Sequence, residues 1–220
     1  MDEPATVSAP GRDPLAERLG DSLRRLMDAA VVTSAGNDEL RAAIEAIDAV
    51  TLRLEGTDGA LLRAAMPWPP PEQMRRGDRA HNPVIGAANP IAPPMAIRVL
   101  DDNSVISEIT MRPIHEGPPG AVHGGWVASL LDQLLGVANT IVNIGGVTAE
   151  LTVRYRRATP YGVPLTIRAR TDSAEGRKIF ASGEILADGV VTAEARGVFI
   201  RPSAQRFAQL QQVVKDRTEG

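Results

Sequence analysis

The chain has 220 residues, 43% hydrophobic but only 3% aromatic, so it can bury a sizeable core and must fill it with aliphatic side chains and alanine. The absence of cysteine excludes disulfides, thiolate metal sites and a cysteine nucleophile, and agrees with a reducing, cytoplasmic setting. A formal net charge of −3 argues against a general nucleic-acid binder.

The first residues, MDEPATVSAPGRDP, are acidic and carry prolines, unlike the basic-then-apolar layout of a signal peptide. No uninterrupted apolar run of about 18 residues predicts a membrane span. Residues 14–32 place Leu15, Leu19, Leu23, Leu26 and Met27 at helical spacing. Residues 38–54 repeat the pattern with Ile44, Ile47, Val50, Leu52 and Leu54, and Asn37 is a candidate cap. The TSAGN between them reads as a turn, which predicts a helical hairpin. The prolines from Pro67 to Pro71 then break helix and mark a linker. Thirteen acidic side chains against eight arginines in residues 1–75 set this part apart. The expected division is an N-terminal helical extension and linker over 1–75, a main domain over 76–202, and a tail over 203–220.

Beyond about residue 95 the period shortens. Ser104–Arg112, Val147–Arg157, Pro164–Ser173, Lys178–Ala187 and Val190–Ile200 read as strands. Their connections are short, and Asp188-Gly189 suits a two-residue hairpin turn. Such links leave no room for crossover helices, so the sheet is expected to be antiparallel. One helix interrupts the strands, opening at His123-Gly124-Gly125 and continuing as WVASLLDQLLGVANTIV. Its apolar residues run almost all the way round, which predicts burial on every side. The fold class is therefore α+β, an antiparallel sheet wrapped around a central buried helix.

That helix holds one fixed charge, Asp132. A carboxylate among apolar neighbours is paired, hydrated at a cleft, or raised in pKa, so it is either a site residue or a capping or interface carboxylate. At the helix start, two glycines let the backbone approach a ligand, and the first N–H groups lack internal partners. Such donors suit a carbonyl oxygen that gains negative charge; tight packing against a strand explains the glycines equally well. Three histidines without cysteine or close pairing predict no metal site. Neither GxxxxGK[ST] nor GxGxxG occurs, and the G-x-S-x-G elbow of a serine hydrolase is missing.

HGGWVASLLDQLLG, followed by GGVTAELTVRYRRATPYG and EGRKIFASGE, resembles the PaaI-type branch of the hotdog thioesterases, within the 4-hydroxybenzoyl-CoA thioesterase-like superfamily. NPVIGAANPIAPPM and HEGPPGAVHGG resemble the lead-in of its actinobacterial members. The likeness covers roughly residues 80–200. It implies a hotdog fold and hydrolysis of an acyl-CoA thioester, with coenzyme A as part of the substrate and no other cofactor. Position by position, it implies that Gly124 donates its N–H to the thioester carbonyl while His123 and Gly125 shape the turn. Asp132 becomes general base or nucleophile, and Thr148 helps to place the attacking water. Some relatives carry an Asn before the HGG where this chain has Glu116-Gly117. Simple alternation along the strand puts Thr148 opposite Val147, Ala149 and Leu151, so reaching the site requires a bulge or the sheet edge.

Gly124 and Asp132 are eight residues apart, hence about 12 Å along a helix axis. Oxyanion donors and nucleophile each need to lie about 3 Å from the reacting carbon. Two antiparallel copies about a two-fold axis meet that demand, so a homodimer is expected, or a dimer of dimers. Residues 150–178 hold seven basic side chains against three acidic ones. Arg177 and Lys178, with Arg156, Arg157, Arg154, Arg168 and Arg170, are candidates for the phosphates of coenzyme A. Two other readings compete. A hydratase would need a histidine soon after the aspartate, and no His follows Asp132. A non-catalytic acyl-CoA-binding or sensing module would need no base, yet Asp132 and Thr148 occur together.

Overall fold

A computed structural model describes residues 14–55, 80–142, 144–201 and 203. By internal contacts the chain divides into two compact units. One combines Met1–Val31 with Pro71–Pro202, the other Val32–Pro70 with Ser203–Gly220. The expected linker prolines Pro67 to Pro71 lie outside the described residues.

Both N-terminal helices form where the apolar spacing places them, α1 over Pro14–Val32 and α2 over Asn37–Glu55. The α2 helix, which lies wholly in the second unit, opens with Asp38 and Glu39 and ends near Arg53, the charge order that a helix dipole favours. Its apolar side chains, among them Ile44 and Leu52, are exposed. The α1 helix belongs to the larger unit, where buried Arg24 donates to the carbonyls of Asn89 at 2.8 Å and Ala87 at 2.7 Å and pairs with Asp21.

The larger unit is built on a six-stranded sheet of order β1-β2-β4-β5-β6-β3, antiparallel throughout. Its strands are β1 (Ala96–Val99), β2 (Val105–Thr110), β3 (Val147–Tyr155), β4 (Pro164–Glu175), β5 (Lys178–Ala187) and β6 (Val190–Ile200). β1 has four residues, too few to show a period, and the sequence reading missed it. The Asp188-Gly189 turn forms as expected, both residues having positive φ (49° and 74°), which a tight hairpin between right-twisted strands requires.

The long helix α3 (Gly124–Ile141) lies across the inner face of this sheet, packing mainly on β4 and β5. Small side chains make the close approach possible. Ala181, Ala193 and Ala195 face it from β5 and β6, and a Cβ at Gly183 or Gly197 would come within 3.3 and 3.1 Å of Leu135. Leu130, Leu131, Leu134 and Leu135 are sealed from solvent, each burial contributing about 1.5–3 kcal/mol. This is the hotdog arrangement. One expectation needs correction: α3 is not buried all round. A stripe of Ser129, Asp132, Gln133, Gly136 and Thr140 remains half open, because the sheet covers only the opposite side. The loop before β1 reaches one point of that stripe, where the Asn82 amide donates to Gln133 Oε1 at 3.0 Å.

Gly20 is the contact point of α1: a Cβ there would meet the Ala87 carbonyl oxygen at 2.6 Å and the Ala88 backbone at 3.2 Å. Gly20→Ala is therefore expected to push α1 off residues 87–89 and to lower stability by about 1–3 kcal/mol, the usual cost of overpacking against backbone. Thermal melts of the variant, with helicity retained by circular dichroism, check this.

Candidate active site

The approach to α3 is a strap held in place by its own polar groups. After β2 the chain makes a short 3-10 turn (Pro113–His115), then the Glu116–Val122 strap, then the His123-Gly124-Gly125 start of α3. Glu116 Oε1 accepts the Gly120 N–H at 2.7 Å, and Gly120 has φ +77°, a turn conformation open to glycine. Gly117 passes so close that a Cβ there would lie 2.7 Å from His123 Cα. The Val122 N–H donates to the Thr159 carbonyl at 2.8 Å, and the His123 N–H to the His115 carbonyl at 2.9 Å.

His123 caps α3. Its Nδ1 accepts the Gly125 N–H at 3.0 Å, while its carbonyl takes the N–H groups of Trp126 and Val127. Of the first N–H groups of α3, that of Gly124 has no acceptor among the described residues. It is a free donor at the positive end of an 18-residue helix. Tyr155, at the end of β3, donates its hydroxyl to the Gly124 carbonyl at 2.8 Å and lays its ring beside the glycine. The sequence reading missed Tyr155. Its only signal is an aromatic at an inward position of VRYRR.

Two turns along α3, half-buried Asp132 accepts the Thr148 hydroxyl on Oδ1 at 2.9 Å. Both routes by which Thr148 was expected to reach the helix are present. β3 is an edge strand, and its register slips between Thr148 and Glu150. Thr148 stands opposite Phe199 and Leu151 opposite Gly197, so the two share the inner face despite their odd separation. Ala149 is the extra residue of the bulge.

The site residues thus fall into two groups. Gly124, His123 and Gly125 sit at one end of α3 with Tyr155 beside them at the end of β3, and Arg156 and Arg157 follow Tyr155 in the chain. Asp132 and Thr148 sit toward the other end of the sheet, where Lys178, Ile200 and Val147 stand in one row. Arg177 precedes that row and its Nε donates to the Arg201 carbonyl at 3.0 Å. Arg156 pairs with Glu194 at 2.9 Å on the outer face of the sheet. There, with Arg154, Arg168, Arg170 and Arg196, it lines a trough of about 890 Å³ on the side away from α3. No cluster of metal-ligating side chains occurs among the described residues. No described helix is long and apolar enough to cross a membrane.

Comparison with known proteins establishes the family. A family profile described as the thioesterase superfamily matches residues 119–202. A crystal structure of a thioesterase superfamily protein superposes with a TM-score of 0.76 at 36% identity, covering 89% of this chain and 100% of that one. The chain belongs to the thioesterase superfamily. Among curated proteins, acyl-coenzyme A thioesterase THEM4 of Xenopus laevis is 37% identical over 91 residues, 40% of this chain and 41% of that protein. THEM4 of Bos taurus is 33% identical over 93 residues, 40% of this chain and 37% of that one. The chain thus spans about two fifths of the length of the curated relatives it matches.

His115, absent from the sequence-based site, is 1% exposed and meets the Trp126 ring edge-on at 4.8 Å. Burial first, and then the neighbouring Arg112 charge, hold its pKa down from 6.5 to about 4. Between those two values an unfolded chain binds a proton that the folded one refuses. The stability that His115 contributes is therefore whole above pH 6.5 and is lost as pH falls toward 4, on the order of 3 kcal/mol in all. Melting temperature is expected to fall over that window, and His115→Gln is expected to flatten the fall.

Proposed function

We propose that the chain is a cytoplasmic acyl-CoA thioesterase that hydrolyses its substrate to a free acid and coenzyme A. It works as a homodimer, or a dimer of dimers, in which each site joins Gly124 of one copy to Asp132 of the other. The observation that carries this reading is the division of labour along α3. A free Gly124 N–H stands at one end, and Asp132, oriented by Thr148, stands eight residues away. The resemblance to the acyl-coenzyme A thioesterases THEM4 of Xenopus laevis and Bos taurus supports the substrate class.

In the composite site the Gly124 N–H donates to the thioester carbonyl oxygen, aided by the positive end of α3 as charge builds on that oxygen. The Thr148 hydroxyl occupies Oδ1 of Asp132, which leaves Oδ2 to act. As general base, Asp132 takes a proton from water while the water oxygen bonds to the acyl carbon. The C–S bond then breaks, and the thiolate leaves with the proton that Asp132 had accepted. As nucleophile, Asp132 would form an anhydride that water opens, with the same net balance.

Pairing two copies brings the Gly124 end of one chain to the Asp132 end of the other. Arg156 and Arg157 then approach Arg177 and Lys178 as the phosphate-binding group. Arg157 and Lys178 are in no ion pair among the described residues, so they are the more available of the four. The unpaired edge of β3, with Val147 and Tyr155 exposed, supports a second copy at this place.

A panel of acyl-CoAs with a thiol-release readout tests the activity. Binding without turnover would favour a sensing module instead. Asp132→Asn keeps the shape and removes the basicity, so kcat is expected to fall at least about a hundredfold while affinity and melting temperature change little. A well-folded variant with near-normal turnover would falsify the mechanism. Light scattering at micromolar concentration is expected to find a dimer or a larger assembly; a fully active monomer would remove the composite site.

A further inference from the structure

We propose that α1 is a positioning element for the Gly124 turn, acting through Asp28, Arg112 and His115. The inference rests on the reading of the Gly124 N–H as the oxyanion donor. It concerns how that donor is aimed, and it gives the first N-terminal helix a role in turnover.

The path is short and polar at each step. Asp28, near the end of α1, forms an ion pair with Arg112 at 3.1 Å, and both side chains are only 24% exposed. The contact is made with one oxygen and one nitrogen. Asp28 Oδ1 and Arg112 Nε and Nη2 are buried without a hydrogen-bond partner among the described residues. A guanidinium buried this way depends on its one carboxylate, because removing either partner leaves an uncompensated charge out of water.

Arg112 in turn fixes His115. Its backbone N–H donates to His115 Nδ1 at 3.2 Å, and its carbonyl accepts the His115 N–H at 2.9 Å, closing the 3-10 turn on itself. From there two contacts reach the start of α3. The His115 carbonyl accepts the N–H of His123, the capping residue, at 2.9 Å, and the His115 ring abuts Trp126 in the first turn. Gly117 packs so near His123 that even a Cβ would not fit between them, which leaves the strap little room to absorb a shift. A displacement at Arg112 therefore passes to the His123 cap, and the cap sets the direction of the adjacent Gly124 N–H.

This arrangement explains why α1 is anchored twice. Arg24 ties it to the carbonyls of Ala87 and Asn89, which holds the helix in place. Asp28, one turn later, reaches Arg112 at the head of the 3-10 turn and holds nothing else among the described residues. An oxyanion donor misplaced by even a fraction of an ångström loses transition-state stabilisation while ground-state binding, spread over the rest of the substrate, stays.

The experiment uses the full chain. Asp28→Asn and Arg112→Met are each expected to lower kcat about tenfold or more while KM stays within about twofold, as mispositioning does. Arg112→Lys is expected to recover most of that loss, and the double variant to be no worse than Arg112→Met alone. Assays well below each variant's melting temperature separate this from loss of folded protein, since a purely structural defect would vanish there. The second measurement needs no activity. In amide proton–nitrogen spectra, Asp28→Asn is expected to shift the Gly124 and Gly125 signals and to leave Val137–Ile141 in place. If the wild-type chain hydrolyses no acyl-CoA, the reading of its function fails, and the spectra alone decide the coupling. Unmoved Gly124 and Gly125 signals, or unchanged kcat in an active enzyme, would overturn the proposal.

Discussion

Leu130, Leu131, Leu134 and Leu135 fill the space between α3 and the sheet, and their burial fixes the rotation of the helix about its own axis. Once those four face β4, β5 and β6, the residues between them have no choice of direction. Asp132 must emerge beside β3, and the Ser129–Thr140 stripe must look away from the sheet. The functional geometry thus follows from an apolar constraint. The carboxylate is aimed by the leucines around it, and a rotation of one residue, about 100°, would bury it or turn it from Thr148.

The same packing explains the unusual composition. A helix lying this near a sheet needs small residues beneath it, and β5 and β6 supply Ala181, Gly183, Ala193, Ala195 and Gly197 where Leu135 and its neighbours press down. Ile179 and Ile185 on β5 and Phe199 on β6 are the bulkier residues of this face, and a Cβ at Gly136 would lie 3.8 Å from the Phe199 ring. Small side chains on the sheet and leucines on the helix are complementary solutions to one volume requirement. A chain with few aromatics is suited to that division.

The helix periods, the strands from β2 to β6, the Asp188-Gly189 turn and the isolated carboxylate were legible in sequence because each depends on neighbours within a few positions. What escaped depends on distant partners. Arg24 reads as a surface charge on an amphipathic helix until the Ala87 and Asn89 carbonyls appear beside it. His115 reads as a loop histidine until burial and Trp126 are seen. β1 is too short to declare a period, and Tyr155 joins Gly124 across 31 positions of sequence. The open side of α3 was invisible for a related reason: an all-round apolar pattern does not say which face the chain's own sheet will cover.

The bulge at Ala149 changes what a unit of length means in β3. Upstream of it odd-numbered residues point outward, and downstream they point inward, so the strand carries a change of parity at a single alanine. A chain without Ala149 would run regularly from Thr148 to Glu150 and Leu151 with each still on its present face. It would lose local twist and keep the hydroxyl beside Asp132. A chain of unchanged length whose strand straightened would do the reverse, keeping every residue while turning Thr148 outward. At this point of the fold, losing the extra residue together with its bulge is tolerable, and straightening the strand around a retained Ala149 is not.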